Sequence, residues 1–521
     1  MNPHPLRFAL ASAALLGALT VKADPLRIAF ADPVSSLDPQ LNNHAGDRSV
    51  DLHFWDLLVE NNHNALQPGL ARSWRNLDPL TWEFSLRDDV KWQDGVPFTA
   101  KDVVFSYQRA RQVPGSVATF AGYLRTVAEV VAKDDHTLVI KTSVPNPDLP
   151  LNLASVHIVS EHVGKTAATE DYNSGKALVG SGPYRFKSYL PGDRLEMVRN
   201  ETYWGPKPTW EAVSYRYVNN AAARTAALLA GDVDVIDKVS VADLKRLKSA
   251  DQVKVYAYPG LRVLLLQPSQ RPGPNEFIRD NAGKPLAENP LRDARVRRAL
   301  DLAINRQALV DRLLQGAASA ADQWMPADTF GYNAALKPIP NDPAEAKRLL
   351  AEAGYPEGFQ LTLHVPNDRY PQAPEVAQAV AQFWTRIGIK TQVDVVPWAV
   401  YASRAGKNEY AVSTLAWGNG TGEASYALVN VLASVDPQKG IGASNWGRYS
   451  NPQVDQALAA ATAEFDPQKR AAILADAAAV VQGESGVLPL FHYQNVWAAR
   501  KGLKVEPLSS DRTTATMVSP L

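Results

Sequence analysis

Hydrophobic positions in the first half of the chain fall into short runs that predict β-strands. Residues 82–86 and 137–141 alternate apolar and polar side chains, as a strand with one buried face does. Residues 26–30 and 262–267 are apolar over the length of a strand. A helix is predicted at 221–229, because this stretch is rich in alanine and leucine and is soon followed by Gly231.

The second half of the chain alternates helical patterns with single strands. Residues 293–304 place four apolar side chains on one helical face. Residues 341–354 begin with the N-cap candidate Asp342 and end at Gly354. Further helices are predicted at 373–387, 452–463 and 467–480, and strands at 359–365, 388–395 and 487–492. This alternation predicts an α/β layer architecture.

The first residues of the chain predict a secretory signal peptide. Arg7 gives a positive start, residues 8–21 are apolar and mostly small, and Val21-Lys22-Ala23 resembles the pattern that precedes a cleavage point. The apolar run is shorter than the roughly 20 residues of a membrane-spanning helix. We expect residues 1–23 to be removed and the mature chain to reside in the periplasm; an uncleaved anchor is the alternative.

Composition and charge narrow the class of function. The 521 residues include 54 basic and 54 acidic side chains, so the sequence has no basic field for nucleic acid. Cysteine is absent, which excludes thiol catalysis, disulfides and cysteine-ligated metal sites. We therefore expect a near-neutral exported protein that does not bind nucleic acid.

Common catalytic and nucleotide-binding spacings are missing from the sequence. HExxH, GxSxG, GxxxxGK[ST] and GxGxxG do not occur. His157 and His162 are five residues apart, which does not suit one helical face, so we interpret them as surface or loop residues. The glycine-rich stretch 418–422 lacks the lysine of a phosphate loop. We therefore expect no catalytic residue, no cofactor and no metal site.

One long motif resembles a known family. Residues 82–106 read WEFSLRDDVKWQDGVPFTAKDVVFS, which is similar to the hallmark of family 5 extracellular solute-binding proteins. These are the dipeptide-, oligopeptide- and nickel-binding components of ABC importers. Shorter matches occur in order along the chain at 37–39, 68–71, 73–74, 180–184, 199–200, 203–204, 231–234, 295–297, 303–306, 353–356, 387–389 and 449–452. The motif itself is interpreted as scaffold, with Thr99 capping a helix near Asp102.

The resemblance implies an α/β, bilobal fold of periplasmic-binding-protein type II, the Venus flytrap of cluster C, with an extra subdomain in the first lobe. We expect lobe I at 24–267 plus 489–521, with the subdomain inserted around 76–184, and lobe II at 268–488. The chain would then cross between lobes near Gln267 and within 487–491. Pro268 and Pro489 would stiffen the strands that enter such a hinge.

The resemblance also implies ligand-binding residues on loops that follow strands of the second lobe. In peptide binders the loop matching 364–370 holds ligand contacts, in some cases an arginine. This role falls on Arg369, which can hold a carboxylate, with Tyr370 beside it. A surface arginine paired with Asp368 is the alternative for Arg369. A tryptophan loop of those binders matches Trp417, with close backbone approach at Gly418 and Asn419.

Trp398 and Tyr401 are weaker candidates for the ligand site, with plain packing as their alternative. One departure from the family concerns the ligand's ammonium group, which dipeptide and oligopeptide binders usually pair with an aspartate soon after the tryptophan. The only carboxylate in residues 418–425 is Glu423. Either Glu423 takes this role or the ligand presents no free amine there.

We therefore predict a periplasmic substrate-binding protein of an ABC importer, which captures a peptide or peptide-like molecule and delivers it to permease subunits in the inner membrane. A monomer is expected. Alternatives are a receptor for a non-peptide amphoteric solute, which is opine-like, glutathione-like or a metal chelate, and a ligand sensor without transport. A secreted hydrolase on the same scaffold is disfavoured by the missing nucleophile motifs.

Overall fold

The computed structural model describes residues 25–62 and 65–521. The predicted signal peptide, residues 1–23, lies outside the described residues. Among the helices of the described ranges, none has the length and apolar character needed to cross a membrane.

The largest sheet has twelve strands and runs through the whole molecule. Its central strands, Val253–Pro268 and Leu488–Arg500, pair antiparallel. The strand order from one edge is Ile278–Arg279, Gln360–Pro366, Val412–Gly418, Val253–Pro268, Leu488–Arg500, Val235–Ile236, Leu26–Phe30, Ala212–Tyr217, Arg194–Arg199 and Tyr184–Leu190. Off this path, Ala318–Ala320 pairs with Leu488–Arg500, and Lys390–Val396 pairs with Gln360–Pro366.

Separate hydrophobic cores divide the molecule into two bodies, which we call the first and second lobes. The core of the first lobe draws on residues 26–235 and 497–518. The second lobe has two core clusters, drawn from residues 263–491. The pairing of the two central strands shifts register between Pro259 and Val263, which is where they pass from one core to the next. The two long strands therefore join the lobes.

A four-stranded antiparallel sheet forms a distinct part of the first lobe. Its strands, in order, are Ala71–Asp78, Thr81–Leu86, Thr137–Thr142 and Val127–Asp134. Trp82, Phe84 and Leu86 are buried, as their alternation predicts. The backbone N–H of Thr99 donates to the Asp102 carboxylate at 2.8 Å in a capping box, which confirms the predicted helix start.

Two helix-linked strand connections in the second lobe bring two loops to one edge of the sheet. Gln360–Pro366 is parallel to both Lys390–Val396 and Val412–Gly418. The loops at 367–372 and 419–423 therefore both leave carboxyl ends of parallel strands, the usual position of a ligand crevice. Arg262 lies opposite Gly418 on the adjacent antiparallel strand, so its side chain starts from the same edge.

Helices cover the sheets of both lobes. Those of the first lobe are Ala45–Asp51, Ala100–Arg109, Ala121–Leu124, Leu149–Leu153, Glu161–Gly164, Thr169–Asn173, Ala221–Ala230, Val241–Lys248 and, near the C-terminus, Ala515–Met517. Those of the second are Pro290–Arg292, Ala294–Ala303, Arg306–Ala308, Leu309–Leu313, Pro343–Glu352, Ala373–Arg386, Trp398–Gly406, Ala424–Ala427, Leu428–Leu432, Pro452–Ala463 and Pro467–Gly483. Short pairs, Val59–Asn62 with Ala65–Pro68 and Leu503–Val505 with Val518–Pro520, complete the strands.

The two histidines interpreted as surface or loop residues differ in their surroundings. His157 is only 1% exposed and its backbone bridges to Leu57, so its assignment to the surface is corrected. Its neighbours in the sequence, Val156 and Ile158, are apolar and buried. These apolar neighbours were a sequence signal for the burial of His157 that the surface interpretation overlooked. His162 is partly exposed and its Nε2 lies 2.6 Å from Oδ2 of Asp94.

Candidate functional site: the cleft between the lobes

A cavity of about 660 Å³ lies between the lobes. Its first-lobe wall includes Tyr123 and Asp148, and its second-lobe wall includes Glu423, Tyr426 and Asn430. A volume of this size is typical of sites for small molecules. Because both lobes line the space, a molecule bound there would contact both.

The large cavity continues along residues 418–423 into smaller spaces. Thr421 lines both the large cavity and a neighbouring space of about 30 Å³. Gly420 in turn lines this space and a third cavity of about 150 Å³, whose walls include Arg48, Arg262 and Arg512. The loop after the strand Val412–Gly418 therefore follows the cleft along several cavities.

Asn419 fixes the shape of this loop. Its Oδ1 accepts from the backbone N–H groups of Thr421 at 3.3 Å and Gly422 at 3.2 Å, and its Nδ2 donates to the carbonyl oxygen of Glu423 at 2.7 Å. Its own backbone N–H donates to Leu261 O at 2.9 Å. The side chain is buried and its polar atoms are engaged, so its contribution to a cleft ligand is made through the loop backbone.

Gly418 lies at the third cavity, where an added Cβ would be 3.0 Å from a guanidinium nitrogen of Arg262. Glycine at this position therefore permits the Arg262 side chain to pass over the loop. The preceding Trp417 is half-buried, its Nε1 has no hydrogen-bond partner, and its ring centroid lies 5.5 Å from that of Tyr426. Tyr426 is 39% exposed and lines the large cavity, and Trp417 packs against its ring.

Glu423 is part of an ion-pair network between the lobes. Arg470 pairs with Glu423, and its Nη2 also lies 2.6 Å from Oδ1 of Asp148 in the first lobe. Ser425 Oγ donates to Asp148 Oδ2 at 3.3 Å. Burial and the neighbouring Asp148 raise the pKa of Glu423 well above its usual value, in spite of Arg470. The carboxylate is thus already committed to protein partners, which argues against a role as a free ammonium ligand.

The loop at 367–372 presents Arg369 to solvent. Its guanidinium carbon lies 5.3 Å from the ring centroid of Trp398. Asp368 forms no ion pair with it within 4.0 Å, and Oδ1 of Asp368 accepts from the backbone N–H of Trp398 at 2.9 Å. Tyr370 is buried against Trp398, with ring centroids 5.7 Å apart. Arg369, Tyr370 and Trp398 therefore form one cluster, and none of the three lines the cavities described above.

Tyr401 lies in the core of the second lobe rather than on a cleft wall. It is fully buried, and its hydroxyl accepts from the backbone N–H of Thr414 at 2.6 Å and donates to the carbonyl oxygen of Thr414 at 2.8 Å. Its ring stacks against those of Trp398 and Tyr410. Of the two aromatic candidates after the strand Lys390–Val396, only Trp398 is partly exposed.

Several residues that the structure places at the cleft are not among the predicted site residues. These are Arg48, Tyr123, Arg262, Tyr426, Arg470 and Arg512. Arg262 carried a detectable signal, since it is a charge at the start of an otherwise apolar strand run. The others come from distant segments without a motif.

The described residues contain no group of three or more side chains arranged to hold a metal ion. His364, the histidine nearest to the candidate loops in sequence, is fully buried and its ring stacks on Tyr410 at 4.0 Å. Burial and the charge of Arg404 lower its pKa to about 3, so it is neutral at pH 7.

Comparison with known proteins agrees with these features. The family model described as "Bacterial extracellular solute-binding proteins, family 5 Middle" matches residues 65–439. The chain is 28% identical over 454 residues to heme-binding protein A of Haemophilus influenzae, covering 82% of this chain and 79% of the relative. It is 26% identical over 470 residues to the dipeptide-binding protein of Escherichia coli, covering 85% and 84%.

Solved structures share the whole fold. HbpA2 from Haemophilus parasuis superposes with a TM-score of 0.83 at 26% identity, covering 96% of this chain and 100% of that chain. The unliganded open form of the murein tripeptide-binding protein MppA superposes with a TM-score of 0.82 at 25% identity, covering 95% and 97%. The predicted bilobal α/β fold of the type II class is confirmed by these matches.

Proposed function

The chain belongs to the bacterial extracellular solute-binding proteins of family 5, and from this premise we propose that it is the periplasmic substrate-binding protein of an ABC importer. Its cargo is a peptide or peptide-like small molecule, as the names of its dipeptide- and murein peptide-binding relatives suggest. The protein binds this cargo and does not transform it.

The observation that carries this proposal is a cleft of about 660 Å³ whose walls come from two lobes with separate cores. The lobes are joined by the antiparallel strands Val253–Pro268 and Leu488–Arg500. A ligand that contacts both walls stabilises the closed arrangement more than the open one. A difference of about 5.5 kcal/mol would move the equilibrium from 1:99 to 99:1.

We place the hinge on these two strands. The register shift between Pro259 and Val263 supports a bend a few residues before Gln267. On the opposite strand the bend falls at residues 492–494, which pair with Pro259 and Val263. The closed form would then present both lobes together to permease subunits in the inner membrane. The sequence features of a signal peptide support a periplasmic mature chain, which we expect to be monomeric.

Arg369 is proposed to hold a carboxylate of the cargo. Its exposure, its stacking on Trp398 and the use of Asp368 elsewhere support this role. Trp417 would provide the aromatic wall, with Tyr370 holding Trp398 in place, while Gly418 and Asn419 offer the loop backbone. Glu423 would hold the loop against Asp148 rather than bind an ammonium group.

Thermal unfolding with a panel of dipeptides, tripeptides and glutathione tests the function. At least one compound should raise the melting temperature, and the shift should be mostly lost in Arg369→Ala. Arg386→Ala is the matched control, because Arg386 is an exposed arginine stacked on Phe383 of the same lobe. A panel without any shift would argue against peptide cargo, and an unchanged shift in Arg369→Ala would remove Arg369 from the site.

Small-angle scattering tests the mechanism separately. The compound that gives the largest shift should also reduce the radius of gyration, because the lobes close over it. A bound compound that leaves the scattering profile unchanged would contradict lobe closure.

A further inference from the structure

Three arginines line the third cavity of the cleft, the space of about 150 Å³. Arg48 and Arg512 come from the first lobe, and Arg262 comes from the second. The loop Gly418–Gly420 and Asp511 line the same space. The cavity thus brings three guanidinium groups together from both sides of the cleft.

These arginines have no close anionic partner in the part of the chain that the structure describes. Within the described ranges, none of the three has a carboxylate oxygen within 4.0 Å. Arg262 donates to the carbonyl oxygen of Ala416 at 3.3 Å, and Arg48 donates to the hydroxyl of Tyr123 at 3.5 Å. Asp511, the carboxylate of the cavity wall, lies 3.6 Å from Nζ of Lys238. Asp511 also acts on Arg512, whose pKa its charge raises, so this carboxylate is shared between Lys238 and Arg512 and the three guanidinium groups outnumber it.

Arg48 is the clearest case. Its Nε and one terminal nitrogen are shielded from solvent and have no hydrogen-bond partner. Asp51, a carboxyl group on which the charge of Arg48 acts, is fully buried with both carboxylate oxygens unpartnered. Burial and the neighbouring Asp47 and Asp38 raise the pKa of Asp51 well above its usual value, although the charge of Arg48 acts in the opposite direction. Unsatisfied charged donors of this kind are costly unless a ligand pairs with them.

The lowered pKa values of titratable groups around the cavity indicate a positive electrostatic potential there. Burial and the charge of Arg48 lower the pKa of Arg512 to about 9, which leaves it cationic at pH 7. Burial, Arg48 and Arg512 lower the pKa of His157 to about 3. Burial alone would raise the pKa of Tyr123, but the charges of Arg48 and Arg512, with hydrogen bonds from Asn43 and Ser155, bring it below its usual value.

We propose that Arg48, Arg262 and Arg512 form an anion subsite, which binds a second acidic group of the cargo at a distance from Arg369. The inference rests on the proposed function and narrows its cargo to peptide-like solutes with at least two acidic groups. Guanidinium groups match carboxylates in geometry and charge, and binding would satisfy the donors of Arg48. Contact with arginines of both lobes would also favour closure.

The test measures dissociation constants of matched peptides by calorimetry. The pairs are Ala-Glu with Ala-Gln, Glu-Ala with Gln-Ala, and the tripeptides Ala-Glu-Ala with Ala-Gln-Ala. The acidic member of at least one pair should bind about 10- to 100-fold more tightly, the range expected for hydrogen bonds to a charged group. In Arg48→Gln and Arg512→Gln the ratio of the two dissociation constants in that pair should fall towards one. The affinity for the amide member of the pair should be unchanged.

Arg216→Gln is the matched control, because Arg216 is an exposed arginine of the first lobe that lines none of the three cavities described. It should keep the acidic preference. The melting temperature without ligand gives a second readout, since removal of Arg48 or Arg512 relieves repulsion and should not lower it. A lower melting temperature together with an intact acidic preference would assign the arginines a structural role and overturn the inference.

The outcomes separate this inference from the proposed function. Binding of peptides with equal affinity for both members of every pair would overturn the anion subsite and leave the peptide-binding function intact. If no peptide binds at all, both proposals fail. An acidic preference that survives in both variants would place the second carboxylate elsewhere and overturn the subsite.

Discussion

Arg470 holds two carboxylates where the lobes meet, and its replacement by methionine tests that junction. Only 7% of the Arg470 side chain is exposed, compared with 4% for Glu423 and 22% for Asp148. Methionine keeps much of the aliphatic volume but removes the charge. The variant therefore leaves the buried carboxyl group of Glu423 and the partly buried one of Asp148 facing each other without a cation.

Breaking a buried ion pair by removal of one partner costs about 3–5 kcal/mol. We expect a value near the lower end, about 3 kcal/mol, because the raised pKa of Glu423 allows this group to become neutral. For a cooperative unit of the size of one lobe, this corresponds to a fall in melting temperature of about 6–12 °C.

The sign of the pH dependence follows from the raised pKa of Glu423. A carboxyl group whose pKa is higher in the folded than in the unfolded protein adds stability below its unfolded pKa, near 4.5, and this contribution is lost as pH rises through the folded pKa. Removing Arg470 takes away an interaction that lowers this pKa. The stability lost in Arg470→Met should therefore be larger at pH 8 than at pH 5.

Differential scanning calorimetry at pH 5 and pH 8 measures both effects. Glu423→Gln in the Arg470→Met background should recover part of the loss at pH 8. Arg312→Met is the control, because Arg312 is an exposed arginine of the same lobe for which the described residues provide no ion pair. A loss of less than about 1 kcal/mol, or an equal loss at both pH values, would refute the account of a buried network.

Three further substitutions test local parts of the fold. Gly180→Ala places a Cβ 1.7 Å from a backbone oxygen and should cost about 3 kcal/mol or more, whereas Gly483→Ala meets nothing within 4 Å and should be tolerated; urea unfolding compares them. Asp342→Ala removes the side chain that caps Pro343–Glu352 and should cost about 1 kcal/mol in urea unfolding, while Asp342→Asn should be nearly neutral. Tyr401→Phe leaves the backbone N–H of Thr414 unpaired and should lower stability by about 1–3 kcal/mol without changing ligand affinity in calorimetry, and a weakened affinity would return Tyr401 to the site.

The sequence predicted local structure well because short-range patterns determine it. Alternating positions in Thr81–Leu86, the capping residue Asp342 and the helix end at Gly231 each act within a few residues, and each is found where expected. The hallmark motif combines several such signals in one window. It therefore identified the family although its residues are structural.

The candidate site was only partly predictable, because its residues come from segments far apart in the chain. Arg369 and Trp417 were identified through the loops that resemble those of peptide binders. Arg48 and Arg512 are separated by most of the sequence and meet only because the C-terminal segment returns to the first lobe. Such long-range pairs have no periodic or spacing signal, so the sequence could not indicate them.

Two features of the cleft concern its charge: the absence of the ammonium-binding aspartate that peptide binders usually have after the tryptophan, and the presence of arginines without an ion-pair partner among the described residues. Each carboxylate on the walls of the large and third cavities has a cationic partner: Glu423 and Asp148 have Arg470, and Asp511 has Lys238.

The arginines on the same walls lack such a partner within the described ranges: Arg48, Arg125, Arg262 and Arg512. A cleft of this kind offers no free anion to a ligand ammonium group but several cations to ligand carboxylates. Burying a cationic group of the cargo there would be unfavourable, because its desolvation would not be offset by a negative partner. An acidic group would pair with the arginines, which offsets its desolvation cost and reduces the repulsion between the arginines. The departure at Glu423 and the arginines therefore support the same conclusion, that the cargo enters the cleft with its acidic groups as the main points of recognition.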